Sequence, residues 1–150
     1  MRLWAFPLLC FATAVAAPGD ALAGRIVLEG PVEAEVERVL DGDTLVAVAH
    51  VWPGQSVRVS VRLRGIDAPE MRSRCARERE AAGRARAMLA GLVAQGRIAL
   101  TNIGGGKYYG RVLADVATAE SPDIAATLLG AGLARPYEGG RRRPYCAGGR

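Results

Sequence analysis

The sequence predicts a small domain of five short strands with two packed helices, and three observations predict it. Stretches rich in β-branched residues are separated by turn dipeptides, an amphipathic segment of helical period lies between the third and fourth of them, and a capped, shorter helix follows the fifth. The chain has 150 residues, enough for one domain and too few for two comfortable ones. Half of the residues are hydrophobic and 23% are charged, which excludes disorder for most of the chain.

The first strand runs from Val32 to Leu40 and ends at the turn signal Asp41-Gly42-Asp43, and Thr44 to Val51 returns as the second arm of a hairpin. Pro53-Gly54 marks the next turn. From there Val57, Val59, Val61 and Leu63 alternate with Arg58, Ser60, Arg62 and Arg64, the clearest strand in the chain. It ends at Gly65-Ile66-Asp67-Ala68-Pro69-Glu70, where proline breaks regular structure. A helix follows from about Arg77 to Ala94, with Ala81, Ala85, Met88, Leu89, Leu92 and Val93 on one stripe. Gly83 and Gly91 weaken it by about 1 kcal/mol each. Arg97 to Thr101 and Arg111 to Val116 complete the strands, joined by a loop containing Gly104-Gly105-Gly106. Ser121-Pro122-Asp123 then opens a short helix, Ile124 to Ala131, with cap, proline and early acid in that order. This order matches a five-stranded Greek-key barrel of the OB type, an α+β arrangement. A meander packed on two helices uses the same elements, and strand count does not separate the two.

The N-terminus reads as an export signal. Arg2 precedes an apolar run from Leu3 to Ala17, and Ala21-Leu22-Ala23 is a small-x-small cleavage site, placing the mature start near Gly24. The run is shorter than the roughly 20 residues that span a bilayer. Bulky Leu8-Leu9 before Cys10 argue against lipid attachment. The expectation is therefore a signal peptide over 1–23 and one domain over 24–150, with an irregular, solvated basic tail over 138–150. The protein is expected to be periplasmic or secreted, monomeric and without stable membrane association after cleavage. Removing residues 1–23 also removes Cys10, which leaves Cys75 and Cys146. In an oxidising compartment that pair invites a disulfide between the start of the long helix and the tail. Closing so long a loop is worth about 4 kcal/mol in the chain-entropy model.

The net charge of +5 favours acidic partners such as nucleic acid. A single histidine, His50, excludes sites that need two, and three cysteines exclude a four-thiolate zinc site. His50 reads as a strand-end residue, at the surface or partly buried, without a catalytic role. The acids at element ends are more informative: Asp43 in the first turn, and Asp67 and Glu70 where the third strand exits. Asp41 either backs them or shapes the turn. Arg62 lies on the polar face of the same strand as Asp67, and Arg111 heads another strand after Tyr108-Tyr109-Gly110. Two carboxylates can hold a hard divalent cation, a third can position or deprotonate water, and two guanidiniums can clamp a phosphate. Those are the parts needed to hydrolyse a phosphodiester without histidine.

Val39-Leu40-Asp41-Gly42-Asp43-Thr44, Val61 through Glu70, and Tyr109-Gly110-Arg111-Val112-Leu113-Ala114, in this order, resemble the staphylococcal nuclease (thermonuclease) family. Gly132-Leu133-Ala134 before Tyr137 matches the family's closing segment. The resemblance covers roughly Glu33 to Tyr137. It implies an OB-fold barrel and a calcium-dependent endonuclease that cleaves DNA and RNA and leaves 3′-phosphates. It further implies that Ca2+ is held by Asp43, Asp67 and the backbone carbonyl of Ala68. By the same resemblance Glu70 is the general base toward the attacking water, while Arg62 and Arg111 bind the phosphate and stabilise developing charge. Tyr109 would contact a substrate phosphate and Tyr137 would line the nucleotide pocket. Lys107, just before the tyrosine pair, is placed equally for a phosphate contact and for a solvated loop.

The competing class is a non-catalytic, exported OB-fold module that holds nucleic acid or another polyanion. It has no use for three acids near phosphate, which would repel the ligand. Tyrosines 108, 109, 137 and 145 are candidates for stacking on bases, with Tyr145 equally placed to pack under the tail. Arg141-Arg142-Arg143 reads as a solvated basic segment.

Overall fold

Turn dipeptides and β-branched runs divide the chain into the elements that the sequence predicts, with three short additions. The structure is a computed structural model that describes residues 27–106 and 108–146. The predicted signal peptide over 1–23, Cys10 and Lys107 lie outside the described residues. The order is β1 (Val27–Leu28), β2 (Val32–Asp41), β3 (Thr44–Trp52), β4 (Gln55–Leu63), β5 (Ile66–Asp67), α1 (Ala76–Leu92), β6 (Arg97–Gly105), β7 (Arg111–Ala117), α2 (Ile124–Gly130) and β8 (Arg135–Pro136).

β2, β3 and β4 form an antiparallel meander, β4 pairs in parallel with β7, and β6 pairs antiparallel with both β7 and β2. These pairings close a five-stranded barrel of mixed sense, the OB-type arrangement, rather than an open meander. The parallel β4–β7 pair requires a crossover, which α1 and β6 supply. The short additions pair at its margin, β1 with the end of β6 and β5 with β8.

β6 pairs with β2 through Arg97–Leu100 and with β7 from Ala99 onward, and its β7 ladder shifts register between Thr101 and Gly104, where Asn102 adopts φ 50°. It also runs past its predicted end at Thr101, since Gly104 and Gly105 pair with Leu113 and Val112. A glycine run reads as loop by composition, yet here it lets two strands close. A Cβ at Gly106 would lie 2.6 Å from the Arg111 carbonyl oxygen.

The barrel interior holds Leu45, Ala47, Val61, Leu63, Leu100 and Ala114, sealed by Leu89 of α1 and by Ile124 and Leu128 of α2. Val57, on the inward register of β4, is 46% exposed because it lies beyond the barrel's covered end. On α1 the buried face is Ala82, Ala85 and Leu89, with Val93 just past the end. The predicted Ala81 is only half-buried. At 100° per residue, Ala82 lies about 20° from the Leu89 direction and Ala81 about 80° away. The second helix is capped by Asp123, which accepts from the Ala126 N–H at 2.8 Å, and not by Ser121. Ser121 is buried instead, its hydroxyl 3.0 Å from that of Thr127.

Small residues let α1 approach the β2–β3 hairpin. A Cβ at Gly42 would lie 2.5 Å from the Ala85 Cβ and 2.8 Å from the Ala68 Cβ. Gly42→Ala is therefore expected to destabilise the fold by about 1–3 kcal/mol, read as a lower urea midpoint. An unchanged midpoint would show that helix and hairpin are not in contact there.

Candidate functional site

Four separate segments meet at one side of the barrel. Asp43 occupies the two-residue loop between β2 and β3, where Asp41 pairs with Thr44. Thr44 lies opposite Arg62 across the β3–β4 ladder, so the Arg62 guanidinium reaches back over the hairpin to Asp43. Gly65, at φ 77°, reverses the chain after β4 and places Asp67 in β5. Arg111 pairs with Ser60 on the parallel β7, so its side chain leaves the sheet on the face used by Arg62.

The two aspartates are buried, Asp43 at 1% exposure and Asp67 at 4%. Arg62 bridges them: one Nη contacts Asp43 Oδ1 and the other donates to Asp67 Oδ1 at 3.1 Å. Asp43 also accepts from the Thr44 hydroxyl at 2.9 Å and from the Ala68 N–H at 2.7 Å. Glu70 is exposed, but its backbone N–H donates to Glu78 of α1 at 3.1 Å, and Glu78 also accepts from the Ser73 hydroxyl at 2.6 Å. The helix thus fixes the loop that carries Glu70.

Asp43, Arg62, Ala68, Glu70 and Arg111 border a single hollow of about 470 Å³. Tyr137 lies in a neighbouring hollow of about 490 Å³ that Asp67 also borders, and its hydroxyl donates to the Gly140 carbonyl at 2.8 Å. Tyr109 is fully exposed on the loop before β7 and lines neither hollow. Arg111 lies 5.6 Å from the centre of the Tyr108 ring. His50 is exposed in β3, 3.0 Å from the Ser56 hydroxyl.

The tail corrects the sequence reading. Over the described residues 138–146 it carries no helix or strand, yet it is not simply solvated. Cys75 and Cys146 form a disulfide that draws the tail to the start of α1. The Tyr145 hydroxyl donates to the Asp67 carbonyl, and the Arg135 guanidinium covers the Tyr145 ring at 3.8 Å. Burial, and then the charge of Asp67, push the Tyr145 hydroxyl up to about 12. Arg142 enters the acid cluster, with Nε 2.8 Å from Asp67 Oδ1, Nη2 2.5 Å from the Ala68 carbonyl oxygen, and Nη1 against Glu70. The sequence held one pointer to this. Cys75 lies five residues after Glu70, so a bridge to Cys146 brings the arginine triplet near the acids. Nothing in the triplet itself distinguishes Arg142 from its neighbours.

A hard divalent cation takes oxygen ligands. Among the described residues no three carboxylate, imidazole or thiolate side chains are gathered as a metal cage. The oxygens available are instead two buried carboxylates, Asp43 and Asp67, and the Ala68 carbonyl. Positive charge already lies against each of them, from Arg62 and Arg142. Being carboxylate and carbonyl oxygens, the donors suit a hard cation by their chemistry, while these two guanidiniums compete for them.

Residues 60–146 match the family model described as staphylococcal nuclease homologue. The stretch exceeds half of the chain, and the chain belongs to this family. It takes in Arg62, Asp67, Ala68, Glu70, Arg111 and the tail to Cys146, and begins after the Asp43 hairpin. No curated protein matches the chain.

Burial pushes the Asp43 carboxyl up from 3.8 to about 7, outweighing the attraction of Arg62, and the neighbouring Asp41 adds to the rise. Between those two values the folded protein holds a proton that the unfolded chain releases. The contribution of Asp43 to stability is thus fullest below about pH 4 and falls as pH rises to about 7, by at most about 4 kcal/mol. Urea midpoints measured in chelator should fall across that window, and Asp43→Asn should flatten the slope. An Asp43 carboxyl that titrates near pH 4 by NMR would overturn this.

Proposed function

We propose that this member of the staphylococcal nuclease family is an exported, calcium-dependent endonuclease that hydrolyses phosphodiester bonds of DNA and RNA. The observation that carries the reading is the convergence of Arg62, Arg111, Asp43, Ala68 and Glu70 on one open hollow, with Asp67 directly behind it. Asp43, Asp67 and the Ala68 carbonyl would hold Ca2+, which when bound would supply positive charge against the phosphate and make nearby water more acidic.

The protein's own groups account for the rest. Arg62 and Arg111 leave β4 and β7 on one face, so two guanidiniums can address one phosphate group. Attack of water on phosphorus builds negative charge on the equatorial oxygens, and these guanidiniums offset it where it develops. Glu70, exposed at the hollow's edge, orients the water and accepts its proton at a carboxylate oxygen. Tyr109, on its exposed loop, and Tyr137, in the adjoining hollow, are suited to contact neighbouring parts of a flexible strand. The net charge of +5 draws in a polyanion. Export fits the leader-like residues 1–23 and the disulfide.

One observation favours a second reading, a binding module without catalysis: Asp43, Asp67 and Glu70 are all already paired with arginine. Digestion of single-stranded DNA separates the two. The nuclease reading expects cleavage with Ca2+ that stops in chelator, and a loss of about 10²–10⁴-fold in Glu70→Gln. Arg111→Ala should lose about 10²–10³-fold. Binding without cleavage, indifferent to chelator and to both variants, would establish the module instead.

A further inference from the structure

The tail's arginine uses its donors on the same oxygens that the nuclease reading assigns to the metal and the base. Nε of Arg142 lies 2.8 Å and 2.9 Å from the two Asp67 carboxylate oxygens, Nη2 lies 2.5 Å from the Ala68 carbonyl oxygen, and Nη1 meets Glu70. A guanidinium so placed leaves no room at Asp67 and Ala68 for a second cation, and its charge repels one. We propose that Arg142 is a built-in competitor of the divalent cation, and that the segment from Gly139 to Cys146 is an autoinhibitory strap that holds it in the site. The inference rests on the nuclease reading and adds a level of control to the same centre.

The strap is fastened on both sides of Arg142. Before it, the Tyr137 hydroxyl donates to the Gly140 carbonyl at 2.8 Å, and Gly139 and Gly140 turn the chain at φ 104° and 88°. After it, Arg135 donates to the Pro144 carbonyl at 3.2 Å, Tyr145 bonds to the Asp67 carbonyl, and the disulfide joins Cys146 to Cys75. Cys75 occupies the N-cap position of α1, and α1 also holds the Glu70 loop through Glu78. One helix start therefore anchors both the inhibiting arginine and the segment that it inhibits.

The neighbours are placed differently. Arg141 and Arg143 are exposed and border the hollow beside Tyr137, not the one bounded by Asp43 and Glu70. They supply the control that separates a specific contact from a general loss of positive charge.

Calcium binding by isothermal titration calorimetry on the oxidised protein tests the strap. Arg142→Gln should bind Ca2+ at least tenfold more tightly than the wild type, while Arg141→Gln stays within twofold. Cys146→Ser leaves every acid in place and only unfastens the tail, so it should shift affinity in the same direction by a smaller factor. In chelator Arg142→Gln should melt below the wild type, and saturating Ca2+ should close the gap. If Arg142→Gln binds no tighter while the wild type still cleaves DNA with Ca2+, the strap is overturned and the nuclease reading stands. If neither protein binds Ca2+ or cleaves DNA, both fall together. An equal gain in Arg141→Gln would also overturn the strap, since net charge alone would then explain it.

Discussion

The site depends on one ion-pair cluster, the Arg62 guanidinium lodged between the buried carboxylates of Asp43 and Asp67. Two carboxylates this close and this far from water are tolerated only if positive charge or hydrogen bonds face them. Arg62 meets that need and in doing so ties β4 to the β2–β3 hairpin and to β5. Removing a single partner of such a cluster leaves uncompensated buried charge, typically at a cost of 3–5 kcal/mol. The raised Asp43 carboxyl shows that this compensation is incomplete: burial still outweighs the arginine. At Asp67 the tail adds a second cation, Arg142, beside Arg62.

Barrel closure brings the rest of the machinery into range of that cluster. The parallel pairing of β4 with β7 sets Arg111 on the face of Arg62, and β6, paired with both β2 and β7, closes the barrel around it. The hairpin that presents Asp43 is pressed from behind by α1, through contacts that Gly42, Ala68 and Ala85 make possible by being small. The same helix holds the Glu70 loop by Glu78 and the tail by Cys75. The packing core and the charged cluster therefore share one support.

Local chemistry made much of this readable in advance. Strict alternation over Val57–Leu63 and the Asp41-Gly42-Asp43 turn located β2, β3 and β4, and proline and glycine marked where β4 gives way to the acid-bearing loop. The motifs placed Arg62, Arg111 and Glu70 in sequence segments that the fold brings to one hollow. The misreadings also have physical causes. Gly104 and Gly105 read as loop because glycine lacks a side chain, which is the property that lets them pair. Ser121 read as a cap because serine often is one, but Asp123 reaches the free N–H of Ala126. Ala81 and Ala82 are identical residues, and only the direction of Leu89 distinguishes their faces.

The sequence by itself determined the five barrel strands, the two helices and the chemical character of the candidate residues, because these follow from periodicity, turn chemistry and side-chain type within short windows, and its ordered motif blocks carried the resemblance to the family. Only the tertiary structure decided that the barrel closes through β6, that Tyr137 stands in a separate hollow from Glu70, and that Arg142 and not Arg141 or Arg143 enters the acid cluster. Those outcomes turn on the meeting of segments far apart in the chain. Asp67 and Arg142 are 75 residues apart, and local pattern carries no information about which of three adjacent arginines will face a carboxylate across that distance.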